Sequence, residues 1–236
     1  MKTLLLKLGG PMQSWGTSSH FETRTTDYYP SKSGLVGMIA ACFGYRRDDD
    51  EKIQRLNDLD FAVRIDQEGA LGKDYHIATK TKPNGTFEKF YVTNRYYMED
   101  AVFVVSLSHE DSQWMDEIET ALRYPYFQPF MGRRSCPLPI DFLIGTSDKS
   151  ALEALEDLPW QAANWYKNKH KNYRADIYAD KDLSPGSPAK MRNDRVVSFS
   201  QKERKFGPRF EARTSVHLAT SVGSTFDKSL DFYSDI

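Results

Sequence analysis

The 236-residue chain has only two cysteines, Cys42 and Cys136, too few for a disulfide framework or a cysteine-based metal cluster. Its five histidines, His20, His76, His109, His170 and His217, form no metal-ligating spacing such as H-E-x-x-H. No G-x-S-x-G signals an acyl-transfer serine. PSKSG at 30–34 lacks the G-x-x-x-x-G-K-[ST] spacing of a nucleotide-hydrolysing loop. Long apolar runs are missing too. The run in MKTLLLKLGG is interrupted by Lys7 and is too short for a signal peptide, and no stretch approaches a membrane span. The expectation is a cytoplasmic protein without metal or cofactor. Net charge is −1, so no global field draws nucleic acid. Internal repeats and low-complexity segments are also lacking.

What is present is a packable core, with 39% apolar and 13% aromatic residues, and an uneven charge distribution. Between Lys167 and Arg213 there are thirteen Lys/Arg against six Asp/Glu, whereas Asp48 to Asp60 leans acidic. Such asymmetry fits either a polyanion-facing surface or a solvated charged face.

Periodicity predicts the elements. Leu4, Leu6 and Leu8 alternate around Leu5, a strand buried on at least one face. Leu35, Met38, Ile39, Cys42 and Phe43 follow helical spacing, with Ser31 or Ser33 as N-cap and Gly44 just past the C-terminus. Strands are expected at 60–66 and 101–108, a helix at 112–123 and a fourth strand at Pro137–Ile144. The order β-α-β-β-α-β is the ferredoxin-like pattern. Between the second and third strands, residues 73–97 carry the turn signal Pro83-Asn84-Gly85. They read as a projecting hairpin with His76, Lys80 and Lys82 on one face of its first arm. Phe87, Lys89, Tyr91 and Arg95 share a face of the second. A lone hairpin is marginally stable, so it needs a partner. Further on, 148–158 suggests a short helix and 159–191 a polar stretch. The runs 195–200 and 209–218 are strand-like, the latter with Arg209 and Arg213 on its polar face. The fold class is α+β: a core over 1–147 with the hairpin inserted, and a β-rich C-terminal part over 148–236.

Several segments could meet a ligand. GGPMQSWG at 9–16 spends two glycines, a proline and an aromatic where a plain turn needs less. Trp15 is either a stacking platform for a base or a core residue pinning the loop. Lys32 at a helix start, with Arg24 before it, suits an anion or is an ordinary cap with a solvated lysine. MGRRSCP at 131–137 offers the forked donors of Arg133 and Arg134 or a surface turn. Tyr45, His76 and Lys80 could form a metal-free RNA-cleaving set, with His as acid or base and Lys on the phosphorane; the bland reading is a binding hairpin.

Together, LLLKLGGPMQSWG, the stretch from RTT through YPSKSGLVGMIAACFG, KDYH, FMGRRSCPL and the later PRFEARTSVHL resemble one family. They are similar to the CasD-type subunits, members of the RAMP superfamily, of type I-E CRISPR Cascade complexes. The likeness is densest over 1–145. It implies a ferredoxin-like core with a thumb hairpin and a smaller C-terminal part. It implies a non-catalytic subunit that caps the 5′ handle of the crRNA, joins the backbone RAMP subunit to the large PAM-recognising subunit, and meets target DNA only within the complex. In type I-C relatives the corresponding subunit cuts precursor RNA with a Tyr, Lys and His set, so Tyr45 keeps a metal-independent endoribonuclease as the alternative. Under this resemblance Gln13, Ser14 and Trp15 belong to the handle pocket, with Arg24, Lys32 and Ser33 on phosphate. Arg133, Arg134 and Ser135 close it. His76, Lys80 and Lys82 lie over the guide near the handle–spacer junction. Arg209 and Arg213 add basic contacts from the last strand. Specific recognition of single-stranded RNA through unstacked bases fits such a pocket.

Overall fold

A computed structural model describes residues 1–20 and 22–219. The end of the expected C-terminal part, 220–236, lies outside the described residues.

The elements, in chain order, are β1 Lys2–Gly9, β2 Met12–Gln13, β3 Thr23–Arg24, α1 Lys32–Cys42, α2 Asp50–Arg55, β4 Asp60–Gln67, β5 Ala70–Thr81, β6 Phe87–Glu99, β7 Val102–His109 and α3 Ser112–Arg123. They continue with β8 Leu143–Ser147, α4 Ala151–Asp157, α5 Asn164–Lys169, β9 Asn172–Asp180, β10 Ala189–Ser198 and β11 Lys205–Ala219. The fold is mixed α/β and mostly sheet. Seven strands form one sheet in the order β10-β11-β9-β4-β7-β1-β8, and β5, β6, β2 and β3 form a second.

β1 shows why the large sheet has two covered faces. Leu4, Leu6 and Leu8 point into one apolar layer with α1, α3, Phe61, Val63, Phe103 and Val105. Leu5 points the other way, with Ala62, Val104, Ile177, Ala179 and the α4 residues Ala151, Ala154 and Leu155. β1 therefore reads as a continuous apolar run, as expected of a strand buried on both sides. The α4 side also holds a fully buried Arg64. It pairs with Asp66 (2.6 Å) and donates to the carbonyls of Leu155, Leu158 and Pro159, fixing the end of α4 onto the sheet.

α1 starts where Ser31 accepts from the Gly34 amide (3.2 Å), and it ends before Gly44, whose φ of 76° is the left-handed geometry that glycine tolerates. Buried Leu35, Val36, Met38, Ile39 and Cys42 hold it to the sheet. α4 carries a capping box between Ser150 and Glu153.

Three local expectations are corrected. The fourth expected strand lies at Leu143–Ser147 rather than Pro137–Ile144, because 131–142 is spent on turns closed by bonds such as Met131 N to Cys136 O (2.7 Å). The polar stretch 159–191 contains α5 and β9, the latter hidden by small inward residues, Ala175 and Ala179. In β11 the expected burial inverts at one end: Arg209 and Glu211 are buried, and Phe210 is 55% exposed. The segment entering α1 covers that end of the strand, with the Tyr29 hydroxyl donating to Glu211 at 2.7 Å.

Candidate nucleic-acid interface

The glycine-bearing loops 9–16 and 131–137 interlock. The Ser14 amide donates to Met131 O (3.1 Å), and a Cβ on Gly132 (φ 80°) would lie 1.6 Å from Ser14 O. A Cβ on Gly16 would lie 2.2 Å from Thr25 O. Only glycine permits these approaches. Beneath them Trp15 is 2% exposed and packs against Gly34 of α1. Its indole N–H donates to Gln13 Oε1 (2.8 Å), and Gln13 Nε2 donates to Ala101 O (2.8 Å). Trp15 is thus the core residue, and Gln13 satisfies its buried indole. Neither side chain is free for a base, a correction to the handle-pocket assignment. What the loop offers instead is its backbone.

Above this floor lie two adjoining concavities. The smaller, about 350 Å³, is lined by Ser14, Gly16, Thr17, Arg24, Ser33, Arg133, Asn193, Arg204 and Phe206 among others. The larger, about 920 Å³, runs along the small-residue side of α1 (Gly34, Gly37, Ala40, Ala41) to Tyr45, Arg46, Arg47, Phe127, Phe130 and Arg134. Phe199 and Arg204 border both. The charge pattern is one-sided. Among the described residues Arg24, Arg46, Arg47, Arg134 and Arg204 make no ion pair, and no acid lines either cavity. Arg204 lies over the rings of Phe206 (5.2 Å) and Phe199 (6.0 Å). Burial, and then repulsion from Arg47 and Arg24, hold its pKa below the ordinary guanidinium range. A desolvated cation facing other cations is stabilised by an incoming anion.

Arg133 is held by its neighbours: it stacks on Tyr97 (4.3 Å) and donates to Arg24 O (2.9 Å), while its Nη1 is buried without a hydrogen-bond partner. It therefore positions Arg24 and keeps one donor to spare. Arg134 is exposed on the larger cavity and Ser33 borders both; Ser135 is exposed beside Cys136 and borders neither.

Two expected phosphate ligands are corrected. Lys32 is 6% exposed and pairs with Asp180 (2.8 Å), while its amide donates to Asp194 (3.0 Å). Arg209 is bound by Asp194 (2.7 Å), Asp180 (2.9 Å) and Glu211 (3.1 Å). Burial opposes its charge, but these carboxylates outweigh it and hold the pKa above the ordinary range. Both cations are consumed in an internal lattice. Arg213 is exposed and pairs with Asp176 (2.7 Å).

The hairpin β5–β6 has two different faces. One carries His76, Lys80, Lys89, Tyr91 and Arg95. On it His76 bonds Asp74, Lys80 bonds Glu88 (2.8 Å), and Lys82 is exposed near the turn. The other carries exposed Leu71, Tyr75, Ile77, Phe90 and Val92, with Phe87 packed on Phe90. Neither His76 nor Lys80 lines the cavity that holds Tyr45. Burial raises the Tyr45 pKa, which keeps the phenol protonated.

Sequence reading misses Arg46, Arg47, Arg204, Phe199 and Phe206. Arg46-Arg47 follows directly on Gly44-Tyr45, and a doubled arginine after a helix end is the available signal. Arg204 has none, since only the fold brings 199–206 to α1.

A mixed α/β protein with a sheet covered on both faces and, among the described residues, an arginine-ringed groove without acids over interlocked glycine loops is the class of protein defined so far. The chain belongs to the CRISPR-associated Cas5 protein family, whose model matches residues 3–210. It is 36% identical over 161 residues to the CRISPR system Cascade subunit CasD of Escherichia coli (strain K12), covering 62% of this chain and 72% of that one. Among solved structures it matches a chain of a CRISPR RNA-guided surveillance complex with TM-score 0.77 and 28% identity, over 96% of this chain and 95% of the other. A crystal structure of a Cas protein matches with TM-score 0.64 and 29% identity, over 91% and 94%. Among the described residues no helix is long and apolar enough to cross a membrane.

Proposed function

We propose that this chain is a Cascade-type subunit that holds the 5′ handle of a crRNA in the groove above the interlocked loops, without cutting it. The observation that carries this reading is the ring of Arg24, Arg46, Arg47, Arg134 and Arg204, unpaired by any acid among the described residues, around a floor built from loop backbone and aromatic rings. Guanidinium groups suit phosphates, and exposed aromatic edges suit unstacked bases. The names of its relatives, a Cascade subunit and a chain of an RNA-guided complex, supply the RNA and the assembly.

In this reading β1, β4, β7 and β8 with α1 and α3 are a ferredoxin-like core, supported by the adjacent antiparallel order β4-β7-β1-β8. Residues 148–236 are its C-terminal extension, and the hairpin is a thumb. The thumb's basic face lies toward the guide, and its exposed apolar face supports contact with a neighbouring backbone subunit. The large subunit meets the same chain elsewhere.

Holding rather than cutting is supported by the dispersal of the cleaving set: Tyr45 borders the groove, whereas His76 and Lys80 are bonded to Asp74 and Glu88 on the hairpin. The test is to incubate the protein with repeat RNA in EDTA and, in parallel, to titrate handle RNA by fluorescence anisotropy. Tight, salt-dependent binding with intact RNA is expected. A site-specific cleavage product overturns the non-catalytic reading, and binding no tighter than to an unrelated RNA of equal length overturns the handle assignment.

A further inference from the structure

Residues 164–174, NWYKNKHKNYR, run from α5 into β9 and carry Lys167, Lys169, Lys171 and Arg174 without a single acid. In a chain of net charge −1 this is a marked local concentration. The segment lies on the sheet face away from the arginine groove. Ala175 packs with Trp160, Tyr166 and Leu218, and the next inward residues of β9, Ile177 and Ala179, pack beneath α4. Tyr178, pointing the other way, stacks on Tyr29 just before α1 (4.0 Å).

An aromatic block fixes the segment. Trp160 stacks on Tyr173 (5.3 Å) and donates its indole N–H to Asp66 O (2.7 Å), and Tyr166 stacks on His170 (4.3 Å). The cations are therefore displayed from a rigid base. Lys167 lies 6.0 Å over the Trp160 ring, and burial lowers its pKa. Lys169 and Lys171 are exposed, and neither is in an ion pair among the described residues. Arg174 shares the Tyr178 side of β9, where it donates to Ser215 Oγ (2.8 Å), and so stands apart from the three lysines. Among them Trp165 leaves 58% of its surface exposed, unusual for so large an apolar ring.

Ammonium groups for phosphates and an open indole face for a base are the combination that binds unpaired strands. We propose that residues 164–171 form a second nucleic-acid surface, on the sheet face opposite the handle groove, which takes a single strand through its phosphates and one base stacked on Trp165. Lysines and an indole face read neither the 2′-hydroxyl nor base edges, so RNA and DNA strands bind alike. A duplex keeps its bases stacked and binds more weakly.

The test uses the full chain and homopolymeric uridine and thymidine oligonucleotides, which carry no handle, titrated by anisotropy at several salt concentrations. Lys169→Ala with Lys171→Ala is expected to weaken both strands and to flatten the log–log salt slope by about 1.4, at about 0.7 for each phosphate no longer neutralised. Trp165→Ala is expected to weaken binding about tenfold with the slope unchanged, as removal of one stacked base requires. In both variants handle RNA keeps its affinity for the arginine groove. The proposal is overturned if the lysine variant binds homopolymers normally, if Arg24→Ala with Arg204→Ala abolishes that binding instead, or if duplex DNA binds as tightly as the strands. Loss of handle binding in the arginine variant alone bears on the groove and not on this surface.

Discussion

Two groups of basic residues lie within one molecule, one at the start of α1 and one around the cavities that run along it. Buried Lys32 and Arg209 and half-buried Arg192 sit among Asp27, Asp180, Asp194 and Glu211. Arg24, Arg46, Arg47, Arg134 and Arg204 stand around the open cavities, with no acid between them among the described residues. In sequence the two groups are indistinguishable: Arg204 and Arg209 are five residues apart in one basic run. What separates them is pairing. In the first group each charge is neutralised within the fold, so the group ties β9, β10 and β11 to the segment entering α1. In the second the repulsion is left standing, so the group has a use only when an anion arrives. A basic cluster thus announces a ligand by the acids it lacks.

The sharpest way to break this comparison is to unpair the lattice. Asp194 accepts two bonds from Arg209 and one from the amide of Lys32. Asp194→Ala removes two bonds from a buried guanidinium that keeps Asp180 and Glu211, leaves the Lys32 amide unpaired, and is expected to cost about 3 kcal/mol, read as a lowered urea midpoint. A loss below about 1 kcal/mol, the range of exposed pairs, would mean that the lattice is not structural.

The seam between the two glycine loops comes next. Gly132→Ala forces a left-handed φ on a residue with a Cβ and drives it into Ser14 O. The expected cost is about 1–3 kcal/mol of stability, with weakened handle binding because the floor of the groove shifts. Unchanged affinity would show that RNA does not use that floor.

Arg24→Ala with Arg204→Ala tests the other side of the comparison. Since neither arginine has an acidic partner among the described residues, stability should move by less than about 1 kcal/mol. Handle affinity should fall by about tenfold or more, with the salt slope flattened by about 1.4 because two phosphates are no longer neutralised. A large stability loss with little change in slope would place these arginines with the structural group.

Much of this architecture is legible in the sequence. Period-two and helical spacings locate β1, α1, β4, β7 and α3, because those elements bury long apolar side chains. β9 escapes because it fills two of its three inward positions with alanine, and α2 because it is six residues long and buries only Ile53. Within the site, the glycines of both loops are legible, since close backbone approach leaves a compositional trace. The role of Trp15 is not, because an aromatic in a loop looks the same whether it faces a base or Gly34. Lys32 and Arg209 are misplaced for one reason: their partners Asp180 and Asp194 are supplied by other strands of the fold, and no local pattern reveals a distant carboxylate.

The smallest expected effect belongs to Arg213, four residues beyond Arg209 on the same face of β11. In sequence it is an RNA-binding candidate on the same grounds as Arg209, and in the fold it differs from both groups. It is exposed, unlike Arg209, and paired, unlike Arg204, with Asp176 at 2.7 Å. An exposed pair contributes about 0–1 kcal/mol, so Arg213→Ala should shift the urea midpoint little. Because Asp176 already satisfies the guanidinium and Arg213 borders neither cavity, handle affinity should stay within about twofold and the salt slope, which reflects the phosphates neutralised, should not move. A slope lowered by about 0.7 would instead assign Arg213 a phosphate of its own. In that case a cation's carboxylate neighbour would not be enough to remove it from the nucleic-acid surface.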